Sequence, residues 1–266
     1  MEPQFIRGAT GSLFIMYRAA AGGEARGVVL IVPPFAEELN KSRRMLSLAA
    51  RALNARGYVT VLPDLHGTGD SAGDFGEADW TGWLDDLATT LAWLRQRHTA
   101  PLHILALRAG ALLASDLLAR ESLRPETLVL WNPVLQGQQA LTQFLRLSVA
   151  GNLAGGGGET TAVLRQRLQA GESLEIAGYT LPPRVASGLD AAVLAPAPES
   201  LPRRLLWLEV STRDEPALSP ASQRAIPAWE AAGVAVTSEA VRGDAFWNTA
   251  ELVDAPALVA ATEAAF

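Results

Sequence analysis

Six loops carry most of the side chains in this chain that could bind or transform a ligand. They span residues 33–44, 64–75, 108–109, 132 onward, 211–216 and 243–247, and each follows a short apolar run. In an open α/β sheet, ligands bind beyond the carboxyl ends of the strands, so these loops are predicted to meet at one site. The candidate residues for that site are Phe35, Ala36, Glu37, Glu38, Arg108, Ala109, Asn132, Asp214 and Phe246.

Glu37 and Glu38 offer acid–base chemistry. Adjacent carboxylates in a confined pocket repel each other, and this repulsion raises the pKa of one of them towards the range of a general base. In the alternative interpretation, at least one of the two is solvated or pairs with Arg43 or Arg44. The sequence leaves both roles open.

Arg108 offers a fixed positive charge. It lies between an apolar run at 102–107 and a predicted helix at 109–120. At the N-terminus of that helix, backbone N–H groups and the helix dipole favour an anion. Arg108 and Ala109 are therefore predicted to bind a carboxylate or phosphate, or else Arg108 plugs the pocket through an ion pair with Glu37 or Glu38.

Three further candidates follow later strands. Asn132 ends the run at 128–131 and precedes a proline. Asp214 follows the run at 205–210 and either catalyses or holds an arginine or backbone N–H groups. Phe246 and its neighbour Trp247 form pocket wall or core, because aromatic side chains bury well.

The elements that must position these residues alternate between short apolar runs and longer amphipathic stretches. Strands are predicted at 13–18, 28–32, 59–62, 102–107, 128–131, 205–210 and 234–241, and helices at 40–56, 80–97, 109–120, 220–232 and from 256. This alternation predicts an α/β fold with a mostly parallel central sheet flanked by helices. Asn40 is predicted to cap the helix at 40–56 with its side chain.

The alternation is lost between residues 134 and 203. Leu141, Phe144 and Leu145 mark an amphipathic helix there, which runs towards four consecutive glycines at 155–158. We therefore expect residues 134–203 to form a cap, mobile near 138–158, inserted into a core of residues 1–133 and 204–266.

Two segments resemble the α/β-hydrolase superfamily: the loop from Asp64 to Ser71, and the strand-to-helix turn at 106–110. The loop at 33–44, together with residues 131–134 and the pair Phe246-Trp247, is similar to the second ortholog of the hydrolases associated with exosortase A systems. That group accompanies bacterial PEP-CTERM protein export and exopolysaccharide production. The resemblance implies an α/β-hydrolase fold and a hydrolase label without a known substrate, and it makes 33–44 the counterpart of the oxyanion-hole loop.

The superfamily mechanism requires a nucleophile at the elbow after a strand, an acid after a later strand and a histidine near the C-terminus, in that order. Here Arg108 occupies the elbow, and an arginine side chain stays protonated and cannot attack a carbonyl. Asp214 matches the acid, but all three histidines precede it, and Ala245 occupies the position that resembles the family histidine. The inventory therefore excludes the usual Ser-His-Asp route.

The string Gly69-Asp70-Ser71-Ala72-Gly73 matches G-x-S-x-G literally. A nucleophile elbow needs a strand directly before the serine and a helix directly after it, whereas Ser71 lies in a glycine-rich loop. Ser71 is predicted to form a turn and not to act as a nucleophile.

Composition narrows the classes of partner. A net charge of −6 argues against binding nucleic acid, and the absence of cysteine excludes thiol nucleophiles and thiolate metal sites. No cofactor is expected, and without a signal segment or a membrane-length apolar run the chain is predicted to be cytoplasmic.

Two functions remain open. In one, the chain is a divergent hydrolase or transferase that acts on a glycan, lipid-linked or peptide substrate, with Arg108 as electrostatic stabiliser and Glu37 or Glu38 activating water. In the other, it is a pseudo-hydrolase that binds a small ligand, or a protein partner, of the export or polysaccharide system.

Overall fold

The computed structural model describes residues 2–153 and 159–266, which form a central sheet covered by helices. The strands are β1 (Glu2–Arg7), β2 (Ser12–Arg18), β3 (Gly27–Val32), β4 (Tyr58–Pro63), β5 (Leu102–Leu107), β6 (Thr127–Trp131), β7 (Leu174–Ile176), β8 (Tyr179–Leu181), β9 (Arg204–Ser211) and β10 (Ala235–Arg242). The helices are α1 (Glu37–Ala55), α2 (Trp80–Arg95), α3 (Gly110–Arg120), α4 (Gly137–Leu153), α5 (Thr161–Gln169), α6 (Pro183–Ala191), α7 (Pro220–Ala231) and α8 (Pro256–Ala264).

The main sheet has eight strands in the order β1-β2-β4-β3-β5-β6-β9-β10. β2 runs antiparallel to both β1 and β4. The other six strands of this sheet run parallel to one another: β4, β3, β5, β6, β9 and β10. The predicted α/β architecture with a mostly parallel sheet is confirmed. Because all six parallel strands end at the same edge, the loops that follow them are brought together there.

Apolar side chains on both sheet faces form two cores. Leu30 of β3 and Leu112 of α3 lie in the core beneath α2 and α3, whereas Ile31 and Met45 lie in the core beneath α1 and α8. β3 is buried along its whole length, which explains why its sequence is a continuous apolar run and not an alternating one.

A segment of mixed structure connects β6 to β9, two strands that pair directly. It contains α4, α5, α6 and the two-stranded sheet of β7 and β8. Leu141, Phe144 and Leu145 of α4 are buried in the same core as α3, so this helix packs on the rest of the protein. The domain boundaries at 134 and 203 remain a prediction, and the glycine run at 155–158 lies outside the described residues.

Two local features differ from the sequence-based expectation. β1 was not predicted, since it is an edge strand whose apolar residues are few and largely exposed. Helix α1 begins at Glu37 and not at Asn40, so Ala36 is the cap residue and the predicted capping by Asn40 is wrong. Two glutamates in the first turn favour the earlier start, because negative charge stabilises a helix N-terminus. The Asn40 side chain instead donates to the hydroxyl of Tyr179 at 3.2 Å.

Candidate functional site

Arg108 occupies a sharp turn between β5 and α3. Its φ is +55°, in the left-handed region that side chains other than glycine seldom adopt. Its backbone N–H donates to the carbonyl of Trp131 at 3.0 Å. The backbone of Gly110 lies so close to the loop after β3 that a Cβ at this position would be 2.5 Å from the carbonyl oxygen of Pro33. The turn is therefore a strained strand-to-helix elbow held by its neighbours on both sides.

The Arg108 side chain makes three contacts. Its Nε donates to Oε1 of Glu38 at 3.2 Å, and its Nη1 donates to the carbonyl of Asn132 at 3.3 Å. The guanidinium carbon lies 4.9 Å from the ring centre of Trp247, a cation–π distance. The side chains of Arg108 and Glu38 are only 18% and 20% exposed, so the ion pair is partly shielded from water.

The two glutamates occupy the first turn of α1 beside the elbow. Burial raises the pKa of Glu38, and Arg108 opposes that rise. Burial also raises the pKa of Glu37. Oε2 of Glu37 is buried and has no hydrogen-bond partner within residues 2–153 and 159–266. Glu38 is thus held by Arg108, while Glu37 keeps a free oxygen.

A cavity of about 350 Å³ opens at this edge of the sheet, which we call the elbow cavity. Loops after strands supply its floor, and α4 supplies its roof. Charged groups thus face an apolar and aromatic wall. Its lining residues are Phe35, Glu37, Glu38, Arg108, Ala109, Val134, Ala140, Gln143, Phe144, Leu147, Trp247 and Asn248.

Phe35 anchors the aromatic side of the elbow cavity. Its ring makes edge contacts with Phe75, Trp83 and Phe144 at centroid distances of 5.9, 6.0 and 5.1 Å. The next residue, Ala36, has a positive φ of 49° and is buried. This bend turns the chain from β3 into α1, whose first turn carries both glutamates, and Glu38 of that turn reaches Arg108.

The structure brings five of the candidates to the lining of the elbow cavity: Phe35, Glu37, Glu38, Arg108 and Ala109. Ala36 stands behind them as the cap residue of α1. Asn132 takes part only through its carbonyl, because its side-chain oxygen accepts the N–H of Val210 at 3.0 Å. Asn132 therefore holds the strand ends together and offers its backbone to Arg108.

Asp214 and Phe246 lie away from the lining. The Asp214 side chain is 94% exposed and contacts Arg242 at 3.3 Å. Phe246 is fully buried and packs against Trp131 and Trp247. Phe246 and Trp247 were predicted to form either the cavity wall or the core. Phe246 lies in the core, whereas Trp247 lines the elbow cavity.

The prediction that Glu37 or Glu38 pairs with Arg43 or Arg44 is wrong. Arg43 pairs with Asp64 at 2.8 Å, and Arg44 pairs with Asp254 at 2.6 Å. The internal ion pair of the elbow, predicted as one of two options for Arg108, is the arrangement that the structure shows with Glu38.

Sequence reasoning missed five lining residues: Val134, Ala140, Gln143, Leu147 and Asn248. The amphipathic spacing around Phe144 was the available signal for the α4 contribution, since it predicts one face turned towards the core. Nothing in the sequence indicated which polar residues of that helix would face Arg108.

Ser71 and the histidines serve other parts of the fold. The Ser71 hydroxyl donates to the carbonyl of Asp64 at 2.5 Å and accepts the N–H of Phe14 at 2.8 Å, as suits a residue of a turn. His66 contacts Thr10, His98 contacts Tyr17, and none of the three histidines lines the elbow cavity.

The described part of the chain offers neither a metal site nor a membrane-spanning helix. No group of three or more His, Asp or Glu residues there could hold a metal ion. Among the same residues, no helix has both the length and the apolar character needed to cross a membrane.

Comparison with known proteins places this geometry in a family. The family model described as serine aminopeptidase, S33, matches residues 23–170, which is more than half of the chain. No curated protein matches.

Solved structures share the fold at low sequence identity. Est1E from Butyrivibrio proteoclasticus, solved with ferulic acid, is 14% identical with a TM-score of 0.67, over 98% of this chain and 96% of its own. An α/β serine hydrolase without a lid from Xanthomonas campestris is 16% identical with a TM-score of 0.58, over 99% and 92%. A carboxyl esterase from Bacillus coagulans in complex with glycerol is 14% identical with a TM-score of 0.61, over 91% and 90%. This chain therefore has the α/β-hydrolase fold and belongs to the serine aminopeptidase S33 family.

Proposed function

We propose that this protein is a divergent member of its family that binds an anionic ligand in the elbow cavity and does not form an acyl-enzyme. The observation that carries the proposal is the guanidinium of Arg108 at the elbow, in a cavity of about 350 Å³ and paired with a carboxylate that a ligand can replace. An acyl-enzyme needs a nucleophile at this position, and arginine cannot be one.

The lining supports binding over the usual hydrolysis. Among the described residues that line the elbow cavity there is no Ser, Cys or His, and Ala245 stands where the resemblance places the late histidine. A carboxylate or phosphate can exchange for Glu38 on Arg108, because both offer oxygen acceptors to the same donors. Exchange is favoured when Glu38 takes up a proton, and burial already raises the pKa of that carboxyl.

The wall opposite Arg108 indicates what the rest of the ligand is. Phe35, Phe144 and Trp247 present aromatic surface, and Gln143 and Asn248 present amide groups. Sugar rings and short acyl or aromatic groups fit such a mixture, since they combine apolar faces with hydroxyl or carbonyl groups. The ligand class is therefore an acidic glycan or a lipid-linked sugar phosphate, with one anionic group at Arg108.

The setting follows from the resemblance of residues 33–44 to the exosortase-associated hydrolases. In that setting the protein acts in the cytoplasm as a binding or partner protein of PEP-CTERM export or exopolysaccharide biosynthesis. Both Glu38, which pairs with Arg108, and Glu37, whose Oε2 has no partner among the described residues, lie within this stretch.

A second candidate function rests on Glu37. Its Oε2 is buried and free of partners among the described residues, and burial raises the pKa of the carboxyl. Such a group can take a proton from water as the water oxygen attacks a carbonyl carbon, while Arg108 stabilises the negative oxygen that forms. The protein would then be a hydrolase that uses a glutamate as general base.

Binding and hydrolysis are tested together on the whole chain. Isothermal titration calorimetry with ferulate and with a sugar phosphate should show binding to the wild type, and Arg108→Ala should weaken it about ten- to a hundredfold. Arg224→Gln is the matched control, since it removes the charge of an exposed arginine outside the elbow cavity. Equal affinity in Arg108→Ala and the wild type would refute the proposal.

Ester and peptide libraries test the second candidate. Turnover that is lost in Glu37→Gln and retained in Arg224→Gln would establish the glutamate-based hydrolase. Turnover unaffected by Glu37→Gln would reject it.

A further inference from the structure

A second cavity, of about 290 Å³, lies between α1 and the antiparallel side of the sheet, and we call it the α1 cavity. It shares no lining residue with the elbow cavity. Its volume is close to the lower end of the range for small-molecule sites. The apolar part of its wall consists of Met16, Ile31, Leu46, Ala50 and Leu62.

Strand register explains the wall. Met16 of β2 is paired with Leu62 of β4, and Arg18 is paired with Thr60. Side chains alternate between faces along a strand, so these four side chains share one face of the sheet. Helix α1 packs on β4 and shares its core with β3, but it leaves Met16 and Leu62 only partly buried. An apolar shelf therefore stays open beside α1.

Arg18 lies at one end of the α1 cavity with an unsatisfied donor. Its Nε is buried and has no hydrogen-bond partner within the described ranges. Buried donors in proteins are nearly always paired, so an unpaired guanidinium nitrogen indicates a missing acceptor. Burial and the nearby charge of Arg51 lower the pKa of Arg18.

The other arginines of the α1 cavity are already neutralised. Arg43 is paired with Asp64, and Arg44 makes a two-pronged contact with Asp254 at 2.6 and 2.7 Å. Neither Arg18 nor Arg51 forms an ion pair with any described residue. In a chain of net charge −6, the unpaired charge of Arg18 lines the α1 cavity and attracts an anion.

We infer that the α1 cavity is a second binding site, which holds the carboxylate or phosphate head of a single-chain amphiphile against Arg18 and its chain against the apolar shelf. The head supplies the acceptor that Nε lacks. The chain covers the surface that α1 leaves open on Met16 and Leu62, and burial of that surface adds affinity.

Calorimetric titration of the whole protein with decanoate, below its micellar concentration, tests the site. We expect binding to the wild type, weakened about ten- to a hundredfold in Arg18→Gln, because a charge-assisted hydrogen bond is lost. Arg224→Gln should bind within twofold of the wild type. Arg108→Ala should keep the part of decanoate binding that Arg18→Gln weakens, which separates this site from anion binding in the elbow cavity.

Two further arms test the head and the chain separately. Decyltrimethylammonium has the same chain with a cationic head and should not bind. Ser47→Trp places a large side chain from α1 into the α1 cavity and should abolish decanoate binding while leaving the melting temperature and the anion response of the elbow cavity unchanged. Absent binding to the wild type, equal affinity in Arg18→Gln, binding of the ammonium compound, or loss of binding in Arg108→Ala would each overturn the inference.

Discussion

Removing Arg108 should destabilise the protein mainly because it leaves Glu38 without its partner. Exposed ion pairs contribute about 0 to 1 kcal/mol, and breaking a buried pair costs about 3 to 5 kcal/mol. The two side chains are 18% and 20% exposed, between these limits, and Glu38 can take up a proton when unpaired. We therefore expect Arg108→Ala to lower the free energy of unfolding by about 2 to 3 kcal/mol.

The double variant Arg108→Ala/Glu38→Ala separates the ion pair from the packing around it. Once the stranded carboxylate is gone, the double variant should recover about 1 to 2 kcal/mol relative to the sum of the single variants. Urea and thermal unfolding of the four proteins at neutral pH supply the cycle. The Arg108→Ala loss corresponds to a fall in melting temperature of about 4 to 10 °C.

A matched exposed pair provides the control for this cycle. Arg242 and Asp214 are 69% and 94% exposed at a similar separation of 3.3 Å, so their cycle should show coupling within experimental error. Repeating the elbow cycle at pH 5 should reduce the coupling, because burial raises the pKa of Glu38 and a neutral carboxyl needs no partner. Coupling at the elbow as small as in the control pair would refute the structural account of Arg108.

Three other outcomes follow from the structure. Gly110→Ala should destabilise the fold by about 2 to 3 kcal/mol in chemical unfolding, because its Cβ would meet the Pro33 carbonyl at 2.5 Å; unchanged stability would contradict the close approach. A fluorophosphonate probe should label no serine of the folded protein, and stoichiometric labelling at Ser71 would overturn the proposed loss of the serine route. Burial raises the pKa of Asp86 to about 6, so the native state binds its proton more tightly than the unfolded chain does. Ionisation of Asp86 should therefore lower the free energy of unfolding by roughly 2 to 3 kcal/mol as the pH rises from the ordinary pKa of an aspartate to 6. Asp86→Asn should flatten that part of the curve of unfolding free energy against pH.

The sheet and most helices could be predicted from sequence because their patterns are strong and local. The predicted strand 102–107 has the same bounds as β5, and the other predicted strands start and end within two residues of the observed ones. The clearest signals came from central parallel strands such as β3, which is buried and apolar along its whole length. The edge strand β1 was not predicted because its apolar residues form no periodic pattern. Phe5, its only large exposed apolar residue, makes an edge contact with the ring of Phe14.

The elbow cavity could be predicted only in part, because its members come from loops at the strand ends. The rule that ligands bind at those ends placed Phe35, Glu37, Glu38, Arg108 and Ala109 correctly near one another. It failed for Asp214 and Phe246, since the rule locates a loop and says nothing of which side chain of the loop points inward. Which carboxylate pairs with Arg108 likewise depends on the bend at Ala36. No local sequence pattern predicts that bend.

The left-handed turn at Arg108 supports the proposal that this elbow keeps its shape without carrying a nucleophile. A non-glycine residue at a φ of +55° is strained, and such strain persists only where the surroundings fix the backbone. Here the N–H of Arg108 is held by Trp131, and its carbonyl accepts the N–H groups of Ala111 and Val134. None of these bonds involves a side chain at the elbow. The backbone therefore presents the side chain at this position to the elbow cavity, and a guanidinium there suits the anion binding that we propose.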